Sequence, residues 1–309
     1  MEIVRIAQKK LLSESFKDFP EFIRPNGGLS IAGGYALSLY YKYLEGIQRH
    51  LGRNFDDDRF GYESVVYSDI DFFRVGNDKN LSSNLFFEQN LPNHLSLMYS
   101  GKNISLERKS EHANTFNSSM GYLQFVSYKY DTMEDMFSNF DLSICNIAVN
   151  NFDFFASSDF IKTIESGEIS LINKKFFSEN RSLSELVYQT NRVGKYIMRL
   201  QDFFTLLGRD TKVTLSKDLS DAISRVIIDS ERVEPSYWDK DDTFKFCSYY
   251  GTKSRVSGST KREYGKLFDF NLQRILESMT SGLECAAFLI NSDKRQIRNT
   301  AKQFIVNKA

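Results

Sequence analysis

The sequence predicts a mixed α/β or α+β fold, and three observations predict it. Short apolar or alternating runs at 29–32, 65–75, 122–128 and 142–149 read as strands. Stretches with apolar residues at helical spacing lie between them, which is the pattern of a sheet flanked by helices. After about residue 178 the strand-like runs stop and helical periodicity takes over. The chain therefore divides into 1–178, a mixed sheet with helices, and 179–309, a mostly helical C-terminal domain.

Each element has its own signal. Residues 3–24 carry Leu11, Leu12, Phe16, Phe19 and Phe22 at near-helical spacing and read as a helix. Asn26-Gly27-Gly28 marks a turn, and Leu29-Ser30-Ile31-Ala32 is short and apolar enough for a buried strand. Gly33-Gly34 interrupts that run. Ala36, Leu37, Leu39, Tyr40, Tyr43 and Leu44 then recur at helical period. A charged loop covers 54–59, a strand 65–75, a second strand 122–128, a helical turn 133–136 and an apolar β-prone run 142–149. Ser182 with Glu185 three positions on has the form of a capping box opening a helix to Phe204. Further helices are expected at 218–229, 263–280, 283–291 and 294–306.

Composition narrows the function classes. Of 309 residues, 41% are hydrophobic and 26% charged, so there is ample apolar material for a packed core. No apolar signal core follows the N-terminal residues, and no run approaches the roughly 18 apolar residues of a membrane span. Cys145, Cys247 and Cys285 are few, odd in number and far apart, which fits a reducing cytoplasm and excludes a disulfide framework. Neither they nor His50, His94 and His112 have zinc-site spacing, so a metal here must be held by carboxylates. The net charge is zero, which excludes a globally basic surface. Residues 251–309 are different, with eleven Lys/Arg against five Asp/Glu. That surplus is either a solvated helical surface or a face for a polyanion.

The carboxylates carry the chemistry. In Ser68-Asp69-Ile70-Asp71-Phe72-Phe73, two aspartates lie two apart on a strand, so both point to one face while Ile70 and Phe72 point to the other. This is either an edge strand with ordinary surface acids or an apolar-backed strand offering two anions to one place. Two close anions repel unless a cation sits between them. Hard oxygen donors favour Mg²⁺ or Mn²⁺. In Ile31-Ala32-Gly33-Gly34-Tyr35-Ala36 a strand runs through two glycines into a helix. That arrangement lets backbone approach a phosphate closely and presents helix N–H groups to it. In Phe140-Asp141-Leu142-Ser143-Ile144-Cys145 a third acid precedes an apolar run, either as a turn residue or as a further metal ligand.

Taken in order, Gly33-Gly34, Asp69-Ile70-Asp71-Phe72 and Asp141 resemble the motifs of the DNA polymerase β-like nucleotidyltransferase superfamily. The stretch from Tyr122-Leu-Gln-Phe to Phe140-Asp-Leu-Ser-Ile-Cys145, and Asn191-Arg192-Val193-Gly194-Lys195-Tyr196, are similar to later segments of its viral and bacterial members. The resemblance covers roughly 29–200, and the interval from Gly34 to Asp69 exceeds the family's usual spacing, as an insertion around 45–62 would make it. It implies a nucleotidyltransferase-fold mixed sheet flanked by helices. It implies two Mg²⁺ (or Mn²⁺) ions held by Asp69, Asp71 and Asp141, the last also helping to activate the acceptor hydroxyl. It implies triphosphate contacts from Gly33, Gly34 and Ser68, with Lys195 at the β- or γ-phosphate and Arg192 nearby. Arg192, Lys195 and Arg199 lie three, four and seven apart and share one helical face.

The implied reaction moves a nucleoside monophosphate from an NTP to an acceptor hydroxyl and releases pyrophosphate. The acceptor is an RNA 3′ end (tRNA among them), a protein hydroxyl or a second nucleotide, and the basic tail favours RNA. The alternative is a catalytically inactive nucleotide- or RNA-binding module on the same fold, as in a toxin–antitoxin or viral counter-defence component. A Walker-type loop is absent, because no Gly-Lys-Ser/Thr follows a glycine run. Expected partners are an NTP and RNA or protein, with no membrane.

Overall fold

Strands with two-residue alternation assemble into one mixed sheet in the first part of the chain. The structure is a computed structural model. It describes residues 1–17, 19, 23–25, 28–50, 69–76, 105–110, 112–118, 121–232, 272–292 and 295–308, and the statements below concern these. The chain forms two compact units, Met1–Lys162 and Thr163–Ala309, whereas the change of sequence texture lies near 178.

The first unit is built on eight strands: β1 (Ile3–Ala7), β2 (Leu29–Ala32), β3 (Asp69–Val75), β4 (Ser105–Lys109), β5 (Ala113–Ser118), β6 (Gly121–Tyr130), β7 (Ile147–Asn150) and β8 (Asp153–Ser157). Their order across the sheet is β1-β8-β7-β2-β3-β6-β5-β4. Only β3 and β6 are parallel; every other neighbouring pair is antiparallel. The fold class is thus mixed α+β.

Helices cover both faces. On one, α2 (Gly34–His50) packs over the sheet, with Tyr40 edge-on to Phe154 and to Phe160, each at 5.5 Å between ring centroids. The partner residues Phe72 and Phe125 stack at 4.6 Å on the strands. Large buried rings of this kind supply much of the apolar area that stabilises a core. On the other face, α3 (Met133–Ser138) buries Met136 and Phe137 against Ala32, Phe73, Val75 and Ala148. Thr132 and Asp135 close a reciprocal capping box at the start of α3.

The N-terminal stretch corrects a sequence expectation. Helical spacing predicted a helix over 3–24, but residues 3–7 form β1, an edge strand paired with β8, and the helix α1 is Lys9–Ser15. Leu12 and Phe16, four apart, are both buried, so the helical spacing is real only from residue 9 on. Ile3-Val4-Arg5-Ile6 is rich in β-branched residues and gains a ladder of hydrogen bonds from β8. Arg5 Nε also donates to the buried Asp153 carboxylate at 2.7 Å. The run 142–149 likewise splits into a 3₁₀ turn, Ser143–Cys145, and β7.

Helix α4 (Ser158–Ser166) follows β8, and the second unit contains α5 (Leu183–Leu206), α6 (Lys217–Arg232), α7 (Gly282–Leu289) and α8 (Arg295–Lys308). Residues 272–278 are also helical. Two short parallel strands, Glu168–Ile169 and Thr214–Leu215, pair beside these helices. Ser182 and Glu185 form the expected capping box at the start of α5. Hydroxyl groups tie α6 to the start of α7, with the Thr280 N–H donating to Ser220 Oγ at 3.0 Å and Ser224 Oγ 2.8 Å from Ser281 Oγ. The expected loop at 54–59, the helix over 263–271 and Ser68 lie outside the described residues. Among the described residues, no helix is long and apolar enough to cross a membrane.

Candidate active site

β3 begins at Asp69, and its side chains alternate as the sequence predicts. Ile70 and Phe72 are buried on the α2 face, at 0% and 1% exposure. Asp69 and Asp71 take the opposite face and remain half-buried. Further along that face Phe73 and Val75 are covered by α3, so the two acids stand where the apolar cover ends. An oxygen of Asp71, Oδ1, is itself a buried atom.

On one side of β3 lies β2, antiparallel, with Ala32 directly opposite Asp71. The chain leaves β2 through Gly33, whose φ is +71°, in the left-handed region that favours glycine. A Cβ built on Gly33 would stand 3.5 Å from Asp71 Oδ2, so the carboxylate lies against the bare backbone of this turn. The Gly33 carbonyl accepts from Leu37 N at 3.0 Å and so forms part of the first turn of α2. The first N–H groups of α2 have no acceptor within their own helix and carry its positive dipole end. The turn thus sets a helix N-terminus beside Asp71.

On the other side of β3 lies β6, parallel, with Tyr122 opposite Asp69 and Gln124 opposite Asp71. Tyr122 is 37% exposed. Gln124 Nε2 donates to Thr115 Oγ1 on β5 at 3.4 Å. Sequence reasoning identified this strand but gave Tyr122 and Gln124 no part in the site. Their adjacency to the acids follows from the parallel pairing of β3 with β6, which no local pattern announces.

Asp141 lies between α3 and the 3₁₀ turn. It is 4% exposed, and its Oδ1 accepts from Leu142 N at 3.0 Å. The preceding Phe140 packs on Phe73 of β3 at 5.3 Å between centroids. Among the described residues, no three His, Cys, Asp or Glu side chains gather into a group fit to hold a metal ion, Asp69, Asp71 and Asp141 included.

In the second unit, the cations predicted on one face of α5 converge on one ring. The Arg192 guanidinium lies 5.2 Å from the Tyr196 centroid, Lys195 Nζ 5.9 Å and the Arg199 guanidinium 5.6 Å. Tyr196 is buried, and so is Arg199 at 4% exposure, while Arg192 and Lys195 are half-buried. Such cation–ring contacts stabilise by about 0.5–2 kcal/mol each, more as water is excluded.

The fold and this face define a mixed-sheet α+β protein with an acidic pair beside a glycine turn. No family model and no curated protein matches the chain.

Proposed function

We propose that this chain is a metal-dependent nucleotidyltransferase of the polymerase-β type, with a nucleotidyltransferase-fold catalytic part and a helical C-terminal domain. The observation that carries this reading is the contact between the Gly33 turn and Asp71, with Asp69 two residues ahead on the same face. An anion-binding helix start and a cation-binding acid pair side by side suit a nucleoside triphosphate with its divalent ion.

The donor set fits Mg²⁺ or Mn²⁺. Asp69 and Asp71 supply hard oxygens only, and Oδ1 of Asp71 is a buried atom. Magnesium is commonly bound through one or two carboxylates together with phosphate oxygens and water, so the pair suffices without a three-carboxylate cage. Asp69 and Asp71 would hold the metal, which supplies positive charge opposite the phosphoryl oxygens when bound.

The chain's own residues have these roles in the proposal. The Gly33-Gly34 turn and the start of α2 receive phosphate oxygens through backbone N–H groups. Asp69 and Asp71 would act on the α-phosphate only through the ion they would hold, because bare carboxylates repel it. The acceptor hydroxyl attacks the α-phosphorus in line, the bond from that phosphorus to the bridging oxygen breaks, and pyrophosphate leaves. The hydroxyl proton passes to water or to a carboxylate; the sequence resemblance gives that role to Asp141, although Asp141 does not gather with Asp69 and Asp71 into a metal-holding group.

The test incubates the protein with each α-labelled NTP, Mg²⁺ or Mn²⁺, and total RNA or lysate protein. Labelled product with pyrophosphate release, lost in Asp69→Asn and Asp71→Asn, is the expected result. Tight NTP binding without transfer to any acceptor would replace this reading with the inactive binding module.

A further inference from the structure

The face that carries Asp69 and Asp71 continues past them, across β6, β5 and β4. Pairing places Gln124, Thr115 and Arg108 in one row with Asp71, and Tyr122 and Asn117 in the next row with Asp69. Paired residues on neighbouring strands point to the same side of a sheet. On this side Tyr122, Asn117 and Arg108 are exposed and Gln124 and Thr115 half-buried. The opposite side of the same strands buries Phe116, Leu123 and Phe125 at 1% exposure or less. β5 and β6 are therefore one-sided, with an apolar back and an open polar front that starts at the acid pair, while at the edge Leu106 of β4 is 47% exposed on the back. From β3 to β4 this front spans about 14 Å, three inter-strand spacings.

Direction assigns this front an occupant. The glycine turn that would receive the triphosphate flanks Asp71 on the β2 side. In an in-line displacement the attacking oxygen and the leaving pyrophosphate lie on opposite sides of the phosphorus. With the leaving group toward β2, the acceptor comes from the β6 side. There it meets an exposed tyrosine ring surrounded by an amide pair and a hydroxyl, with one arginine farther out. An aromatic ring on an open sheet is a stacking platform for an unpaired base. Neutral donors and acceptors around it match base edges and ribose 2′-hydroxyls better than they match phosphates.

We infer that the open front of β6, β5 and β4 receives the 3′ end of a single-stranded RNA as the acceptor, with Tyr122 stacking on a base near that end and Arg108 meeting the backbone. This rests on the nucleotidyltransferase reading, and it names the acceptor class for that site. Gln124, Thr115 and Asn117 are positioning groups for the ribose and base.

The test measures binding of a short fluorescent single-stranded RNA to the full chain without NTP or metal, by anisotropy over a range of salt. Tyr122→Ala should weaken binding about five- to a hundredfold, the loss of one stacked base. Tyr122→Phe should stay within about twofold, because the ring is kept. Arg108→Ala should weaken binding and reduce the salt slope by about one. NTP affinity with Mg²⁺ should be unchanged in Tyr122→Ala. Undiminished RNA binding in a folded Tyr122→Ala protein overturns the inference. So does equal affinity for DNA of the same sequence, or a parallel fall in NTP affinity, or label that enters only protein. RNA bound through Tyr122 with no nucleotide transferred would sink the catalytic reading and leave the RNA surface standing. Transfer to a small molecule with no RNA bound would do the reverse.

Discussion

The carboxylate of Asp71 lies against the backbone of Gly33, so close that a methyl group on that glycine would stand 3.5 Å from Oδ2. Space alone would admit the methyl, since this is an ordinary van der Waals distance. The backbone would not, because φ is +71°. Gly33→Ala should cost about 1–2 kcal/mol from the left-handed conformation, and it should loosen the turn that aims α2 at the site. The expected outcome is a lower melting temperature together with a raised KM for NTP. A variant with unchanged melting and unchanged KM would separate the turn from both fold and site.

Asp69→Asn and Asp71→Asn each remove an oxygen charge from the shared face while keeping side-chain size. If each carboxylate opposes the metal's charge by several kcal/mol in the transition state, turnover should fall at least about a hundredfold. The wild-type chain should melt at a higher temperature with Mg²⁺ and NTP present, and the variants should lose that increment. Asp141→Asn, assayed alongside, decides whether the third acid joins the reaction. An unaffected rate would remove Asp141 from it and leave the pair.

Ser182→Ala breaks one half of the capping box on α5. It leaves first-turn N–H groups without the hydroxyl and should destabilise by about 0.5–2 kcal/mol. Urea denaturation followed by circular dichroism reads this as a lower midpoint with an unchanged slope.

Phe72→Ala deletes one of two stacked rings between the sheet and α2. With Phe72 at 1% exposure, the cavity should cost about 3–5 kcal/mol. Phe72→Leu keeps much of the volume and should cost less, so the order of the two midpoints is the measurement. Equal midpoints would mean that the site collapses around the loss.

Burial pushes the Cys285 thiol from its ordinary 9.0 up to about 11, against a hydrogen bond with Ser224 that acts the other way. A raised pKa in the fold means that the folded chain favours the protonated thiol. The stabilisation is therefore complete below pH 9 and declines as pH climbs from about 9 to about 11. Two pH units correspond to at most about 2–3 kcal/mol. Burial also raises Tyr130 above its ordinary 10.0, with the same sign of pH dependence in the first unit. Stability measured from pH 8 upward should fall in this window, and Cys285→Ala should flatten the part that belongs to the second unit. An identical pH profile in that variant would remove Cys285 as a cause.

Local periodicity decided a good deal by itself. The burial of Ile70 and Phe72 behind Asp69 and Asp71 follows from a two-residue repeat and needs no partner strand. The capping box at Ser182 and Glu185 is complete within four residues, and the shared face of Arg192, Lys195 and Arg199 follows from one helix turn after another. Tertiary structure decided the rest, because it depends on segments distant in sequence. Ile3–Ala7 is a strand only because β8, about 150 residues later, offers its edge. Asp69 and Asp71 have Tyr122 and Gln124 beside them only because β3 pairs with β6 in parallel. Whether Gly33 meets Asp71 was likewise settled by the antiparallel register of β2 on β3. Strand pairing repays its loop-closure entropy through long-range hydrogen bonds and side-chain packing, and no residue carries that choice alone.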